Sequence, residues 1–368
     1  MELENGMKIA FFGSSLVSAY WNGAATYYRG IIKALHADGH EVTFYEPDIY
    51  DRQKNRDIED PPYARSVVYS GDEEGMRGAL EMASGADVVV KTSGIGKFDS
   101  ELEEAVLGFQ KSGAVVIFWD VDAPVTLDRV KRDPSDPFRR LIPEYDVIFT
   151  YGGGEPVVSA YMGFGARECV PVYNALDPQT HYPVPGERRF EGTLGFLGNR
   201  LPDREARVKE FFFRAAGILK DRQFMLGGSG WESGVPEIPN VKRLGHVFTH
   251  EHNGFNCSNL AVLNINRQSM VSYGYSPPTR IFEAAGAAAC IITDAWEGIE
   301  QFLLPGRECL VARDGTEVAE IVESLDALRA SEIGKAARER VLSEHTYSIR
   351  AREVEKVLQN KMETARRS

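Results

Sequence analysis

Within the stretch SPPTRIFEAAGAAACIITD, Ser276 to Asp294, an arginine and a glutamate stand one helical turn apart, Arg280 and Glu283. A guanidinium offers a planar fork of donors that matches phosphate oxygens. An ionised carboxylate only accepts, and it can take both hydroxyls of a vicinal diol. Such charge-assisted hydrogen bonds are worth roughly 1.5–3 kcal/mol each. Pro277 and Pro278 stiffen the approach, Thr279 is expected to cap the helix, and the helix start adds free N–H groups and a partial positive charge. Ala284, Ala285 and Gly286 remove bulk, so the helix can lie close to a sheet. The same two charges also read as a surface pair at (i, i+3), worth about 0.3–0.5 kcal/mol.

Three further clusters carry chemistry. In FLGNRLPDREARVKEFF, Phe196 to Phe212, a strand ends at Gly198, and Asn199, Arg200 and Arg204 gather at its carboxyl end. The arginines can reach a pyrophosphate, Asp203 is expected to cap the next helix, and solvated helix-end charges explain the same residues. In FFGSSLVSAYWNGAATYYRG, Phe11 to Gly30, Gly13, Ser14 and Ser15 let backbone approach a ligand, and Asn22 with Gly23 opens a helix. Packing accounts for these glycines about as well. Neither G-x-G-x-x-G nor G-x-x-x-x-G-K-[ST] is present, which removes the best evidence for a dinucleotide or NTPase site. In FWDVDAP, Asp120 and Asp122 sit just past a strand. They have the form of a metal-binding D-x-D, but sugar-hydroxyl contact or general-base work is favoured over metal. The histidines are scattered: His250 and His252 in FTHEHNGF lack zinc-type spacing, and His246 follows a strand.

These residues need a scaffold. The chain has 368 residues, enough for two domains, with 43% hydrophobic and 26% charged residues, a globular balance. Lys plus Arg is 42 against 54 for Asp plus Glu, a net charge of −12, which argues against nucleic-acid or anionic-membrane partners. The first residues lack the basic, apolar character of a signal peptide, and no run reaches the ~20 apolar residues of a membrane span. Cys169, Cys257, Cys290 and Cys309 lie far apart, as reduced core thiols do. A cytoplasmic location is expected.

Strand, glycine turn, helix, strand recurs from Lys8 onward: KIAFFG, EVTFYEPD, ADVVVKTSG, AVVIFWDVD and YDVIFTYGGG read as strands with a helical pattern between them. Asp48 to Arg65 reads as a surface loop, and the proline-bearing 174–192 as a linker. Alternation then restarts with TLGFLG, QFMLGG, NVKRLG, LAVLNIN and ACIITD, and ends in a helical tail. The expectation is an α/β protein with residues 1–173 as one Rossmann-like domain, 193–345 as a second, and 346–368 as a helix returning to the first. Two such domains facing across a cleft would hold one ligand each, as group transfer requires.

The segments GHEVTFYEP, FLGNRLPDR, GGSGW, NVKRLGHV, LNINRQSM, the long run from YSPPTRIFEAAGAAACIITD to LVARD, and EHTYSIRA together resemble the spore-maturation-type (CgeB-like) glycosyltransferases, relatives of the group-1 GT-B enzymes. The resemblance covers nearly the whole chain and is strongest from Leu194 to Arg352. It implies a GT-B fold, a nucleoside-diphosphate sugar as donor substrate on the second domain, and a small-molecule or glycan acceptor on the first. It implies no metal and no other cofactor, because helix ends and arginines neutralise the leaving diphosphate. It puts Glu283 on the donor ribose, the backbone after Pro278 on the phosphates, Gly245, His246 and Val247 around the base, and Gly23 near the phosphates. Many group-1 retaining enzymes carry E-x7-E; here Glu283 is the later position and Tyr275 occupies the earlier one. That leaves a retaining and an inverting reaction both open, with Asp120 or Asp122 as base in the second. An epimerase or phosphorylase on the same fold, and a non-catalytic sugar-nucleotide sensor, are the rival readings.

Overall fold

A computed structural model describes residues 6–20 and 22–367. The chain forms two compact units, Met1–Tyr173 with Tyr347–Ser368, and Asn174–Thr346.

The first unit is built on seven parallel strands: β1 Lys8–Phe12, β2 Glu41–Asp48, β3 Arg65–Ser70, β4 Val88–Thr92, β5 Val115–Asp120, β6 Val147–Thr150 and β7 Cys169–Pro171. Their order is β3-β2-β1-β4-β5-β6-β7. Chain order reverses between β1 and β4, the topological switch point of a doubly wound sheet. β4 and β5 are buried along their whole length, as expected of central parallel strands covered on both faces. The last helix, Tyr347–Arg367, lies on the first, Ala25–Ala37. Gly30 makes that contact possible, because a Cβ there would stand 2.2 Å from the Tyr347 ring. Tyr27 binds the same helix edge-on, its ring 6.2 Å from that of Tyr347, while its hydroxyl donates to the carbonyl of Val172.

The second unit has six parallel strands: β8 Gly192–Leu197, β9 Phe224–Gly227, β10 Val241–Gly245, β11 Asn259–Asn264, β12 Ile291–Asp294 and β13 Leu310–Ala312, in the order β10-β9-β8-β11-β12-β13. Its switch point lies between β8 and β11. Phe196, Phe212, Phe213, Phe224 and Trp231 fill the core on one face of this sheet.

The 174–192 segment is not a free linker. Leu176 N donates to His345 O at 2.8 Å, Glu187 N to Ser258 Oγ at 2.7 Å, and Phe190 packs edge-on against Phe255. Its prolines abolish periodicity, yet side-chain and backbone acceptors of the second unit anchor it. Gly286 serves the same contact: a Cβ there would meet Leu176 Cδ1 at 2.4 Å and His181 O at 2.9 Å. At Gly286 the missing bulk therefore admits this segment, while the helix also lies against β11 and β12. The unit ends at Thr346, one residue later than expected.

Candidate functional site

The switch point of the second unit is flanked by the turn after β8 and the segment after β11, and most of the residues singled out in this half of the sequence stand around it. Gly198 N–H donates to Gly227 O, and Gly198 O accepts from Trp231 Nε1 at 2.7 Å. Trp231 is therefore a core residue that fixes the turn. Asn199 Oδ1 accepts from Ser229 N at 3.0 Å, tying this turn to the one after β9. Arg200 grips Glu205 with both Nε and Nη2 at 2.8 Å and donates to carbonyls of Gly230, Ser233 and Gly234. Its donors are spent on the loop, so it organises the turn and is not available as a phosphate ligand in this state.

Arg204 differs. It donates from Nη2 to Asn199 O at 2.6 Å and lies over the Phe196 ring, while its Nε is buried without a hydrogen-bond partner. Among the described residues no carboxylate lies within ion-pair distance of it. Burial, reinforced by the charges of Arg280 and Arg267, pushes its guanidinium down to about 10. The nearby Asp294 gives little relief, because Arg207 holds it at 2.6 Å. Three cations from three segments thus share one side of the switch point with too few counter-charges, a field that favours an anion.

Helix Thr279–Gly286 begins beside them. Pro278, not Thr279, is the N-cap, and no side chain caps the helix. Thr279 Oγ1 instead meets Asn174 Oδ1 at 3.3 Å. The expected capping by Asp203 is likewise not realised: Leu201 is the N-cap there, and Asp203 accepts from Ser269 Oγ and Arg267 Nε. Both hydroxyl and carboxylate are drawn away by partners remote in sequence.

Arg280 Nη1 donates to Glu283 Oε2 at 2.8 Å. The surface-pair reading fails on burial, because Glu283 is only 7% exposed. His181 Nε2 lies 3.7 Å from Oε1 and His252 Nδ1 3.6 Å from Oε2. Burial alone would raise this carboxyl, but Arg280 and the two imidazoles outweigh it and hold Glu283 well below the usual carboxylate range. Neither histidine was assigned a role from sequence, since 71 positions separate them. Arg267 was also missed; only its closeness to the LNIN strand end pointed to it.

After β10, Gly245 has φ +68° and its carbonyl accepts from Gly228 N at 2.7 Å. His246 is exposed and Val247 is buried. The aromatic surface here is Phe248, 57% exposed, with the His246 ring 4.6 Å away edge-on and the His250 ring stacked at 5.8 Å. An exposed phenylalanine after a strand was its sequence signal. Tyr275 has φ +45°, donates its N–H to Glu297 O at 2.6 Å, and its hydroxyl lies 3.3 Å from Glu297 Oε1.

In the first unit several expectations are corrected. Asp120 is fully buried; Oδ1 accepts from Ser93 Oγ, Asp122 N and Thr126 Oγ1, and Oδ2 from Tyr161. Burial raises its carboxyl against those bonds. A base must face the acceptor hydroxyl it deprotonates, and both oxygens of the buried Asp120 are taken up by Ser93, Thr126, Tyr161 and the Asp122 N–H instead. Asp122 is half-buried and is the N-cap residue of helix Ala123–Arg132, its carbonyl accepting from Val125 N and Thr126 N while its side chain makes no capping bond. Gly13, Ser14 and Asn22 are buried and close the turn after β1 on itself: Ser14 Oγ donates to Asn22 Oδ1, and Asn22 Nδ2 to the carbonyls of Ser15 and Ser18. Gly13 makes room for Phe44, whose ring a Cβ would meet at 2.3 Å. Gly23 alone of this group is exposed, with open space at its Cβ position, just before a helix that no side chain caps.

Residues 204–356 match the model of a family described as glycosyl transferase-like. No curated protein is significantly similar in sequence. Solved structures share the fold over nearly the whole chain. Sucrose-phosphate synthase from Thermosynechococcus elongatus aligns with a TM-score of 0.68 at 14% identity, covering 96% of this chain and 98% of that one. An alpha-glucosyltransferase in complex with UDP-glucose and abasic DNA gives 0.71 at 12%, covering 96% and 100%. The Anabaena protein HepE in complex with UDP and glucose gives 0.65 at 12%, again covering 96% and 100%. Residues 204–356 are thus similar to a glycosyl transferase-like family, and the two parallel-sheet units share the GT-B fold of these solved structures.

Proposed function

We propose that the protein transfers a sugar from a nucleoside diphosphate to a hydroxyl of a small-molecule or glycan acceptor, without a bound metal. The observation that carries this reading is Arg204, a half-buried guanidinium with no carboxylate partner among the described residues, beside Arg280, Arg267 and an uncapped helix start. A diphosphate supplies the missing negative charge, and the same groups stabilise it as it leaves. Glu283 accepts the ribose hydroxyls, and Phe248 with Gly245, His246 and Val247 offers a face for the base. In the reaction the sugar C1–O bond to the diphosphate breaks, a bond to the acceptor oxygen forms, and the acceptor proton passes to a base. Asp122, on the first unit, is our candidate for that base.

The UDP and glucose bound by the similar structures support a sugar nucleotide as donor. The net charge of −12 supports a neutral acceptor over a polyanionic one, although one similar structure holds DNA. The stretches SPPTRIFEAAG and EHTYSIRA support membership of the CgeB-like branch. A thermal-shift panel of UDP-, GDP-, ADP- and dTDP-sugars tests the reading. One class should raise the melting temperature, and Arg204→Met should abolish that rise. No shift with any class would overturn the donor assignment. Tyr275, where a carboxylate stands in many relatives, also suits a sensor that binds the nucleotide without transfer; slow hydrolysis of the stabilising sugar nucleotide separates the two.

A further inference from the structure

The roles just assigned to Glu283 and Arg280 draw on two groups that one hydrogen bond now joins. This inference rests on that assignment. Arg280 Nη1 lies 2.8 Å from Glu283 Oε2, and a phosphate that draws the guanidinium away takes from Glu283 the only arginine it touches among the described residues. The carboxylate is 7% exposed, so water cannot take over the lost charge. Besides the neutral ribose hydroxyls, what remains around it is imidazole. His252 Nδ1 is 3.6 Å from the same Oε2, and His181 Nε2 is 3.7 Å from Oε1. The two rings are stacked at 6.3 Å with planes 26° apart. His181 is 4% exposed with neither ring nitrogen hydrogen-bonded, and His252 Nδ1 is likewise buried without a hydrogen-bond partner.

We infer that nucleotide-diphosphate binding is coupled to uptake of one proton by the His181–His252 pair, which replaces Arg280 as the counter-charge of Glu283. The proton comes from solvent onto an imidazole nitrogen facing the carboxylate, and no bond other than N–H is made. His252 is the receiver, because it faces the oxygen that Arg280 leaves and is the more exposed of the two, at 13% against 4%. The closeness of the rings limits the uptake to one, since two imidazolium charges would repel. The other charged groups facing this cluster are Arg280 itself, Asp177, whose charge acts on His181, and Arg204, which repels Arg280 toward an anion. Arg338, from the helix Ala327–Glu344 that packs on Thr279–Gly286, is turned to the carbonyl of Gly286.

The test is titration calorimetry of the full chain with UDP, GDP and ADP at pH 7 in buffers of different ionisation enthalpy. The apparent enthalpy of the tightest nucleotide should vary with buffer, with a slope corresponding to uptake of up to one proton. His252→Gln keeps a donor but cannot titrate; it should flatten the slope and weaken binding several-fold. Arg280→Gln removes no titrating group, yet it should flatten the slope too, because Glu283 is already without its arginine before the nucleotide arrives. His181→Gln gives a second variant should the first fold poorly. A flat slope in the parent protein, with tight binding that Glu283→Ala weakens, overturns the proton coupling and leaves the donor site intact. Binding of no nucleotide, or binding unchanged by Glu283→Ala, overturns the donor reading beneath it. A slope kept in both Arg280→Gln and His252→Gln places the proton elsewhere and overturns the coupling.

Discussion

The guanidinium of Arg204 occupies the space that a side chain at Gly198 would need: a Cβ built there would stand 2.8 Å from Nη2. The glycine just past β8 is thus the socket of an arginine that, among the described residues, has no carboxylate within ion-pair distance. Gly198→Ala should displace Arg204 while the sheet persists. The expected outcome is an unchanged circular-dichroism spectrum with nucleotide affinity reduced about tenfold or more, the loss of one charge-assisted contact. Full affinity in the alanine variant would detach Arg204 from the ligand.

Arg204→Met tests the same guanidinium from the other side. Removing a half-buried cation held among Arg280 and Arg267 should leave the melting temperature equal to or above that of the parent. Diphosphate affinity should fall while affinity for the free nucleoside stays. A large drop in stability would mean that the cation holds the fold rather than a ligand.

The two aspartates after β5 should separate cleanly. Asp120→Asn replaces an acceptor of four donors with a group that must itself donate, and unfolding by urea should show a loss of roughly 1–3 kcal/mol. Asp122→Asn should unfold like the parent, bind sugar nucleotide normally and lose transfer. Unimpaired transfer in Asp122→Asn would exclude it as the base.

Glu103 gives the first unit a pH dependence. Burial, only partly offset by Lys91 and Arg129, raises its carboxyl from the ordinary 4.5 to about 7. The folded state therefore keeps a proton that the unfolded chain releases, and this contribution is fully present below about pH 4.5 and lost as pH rises through about 7. Glu103→Gln should match the parent at pH 4.5 and exceed it at pH 8, by up to about 3 kcal/mol. Parallel stability curves for the two proteins across this range would refute the assignment.

Gly30→Val should drive the last helix from its seat, because the Tyr347 ring fills that position. Overpacking of this kind costs about 1–3 kcal/mol. Limited proteolysis should then cut near Thr346 faster than in the parent, and an unchanged cleavage rate would remove the last helix from the stability of the first unit.

The strands were legible wherever a buried parallel strand writes a continuous apolar run. VVIFWD and FMLG announce themselves because both faces are covered. β3, β7 and β13 were not read: β3 is only partly buried, and the other two are three residues long, too short for a period to repeat. The tie of 174–192 to the second unit rests on single hydrogen bonds to distant residues, which leave no periodic trace.

Local spacing by itself determined that Arg280 and Glu283 share a helix face and that Gly198 ends a strand before a run of arginines, because turn and strand geometry are short-range. It also determined the alternation of strand and helix, since burial on both faces demands apolar runs. Only the tertiary structure decided which charges are already answered. Arg200 and Asp120 look as available as Arg204 in the sequence, yet the fold hands the first two all their partners. It also set His181 and His252 against Glu283, because a carboxylate buried in the second unit draws its neighbours from wherever the chain passes, at any distance along it.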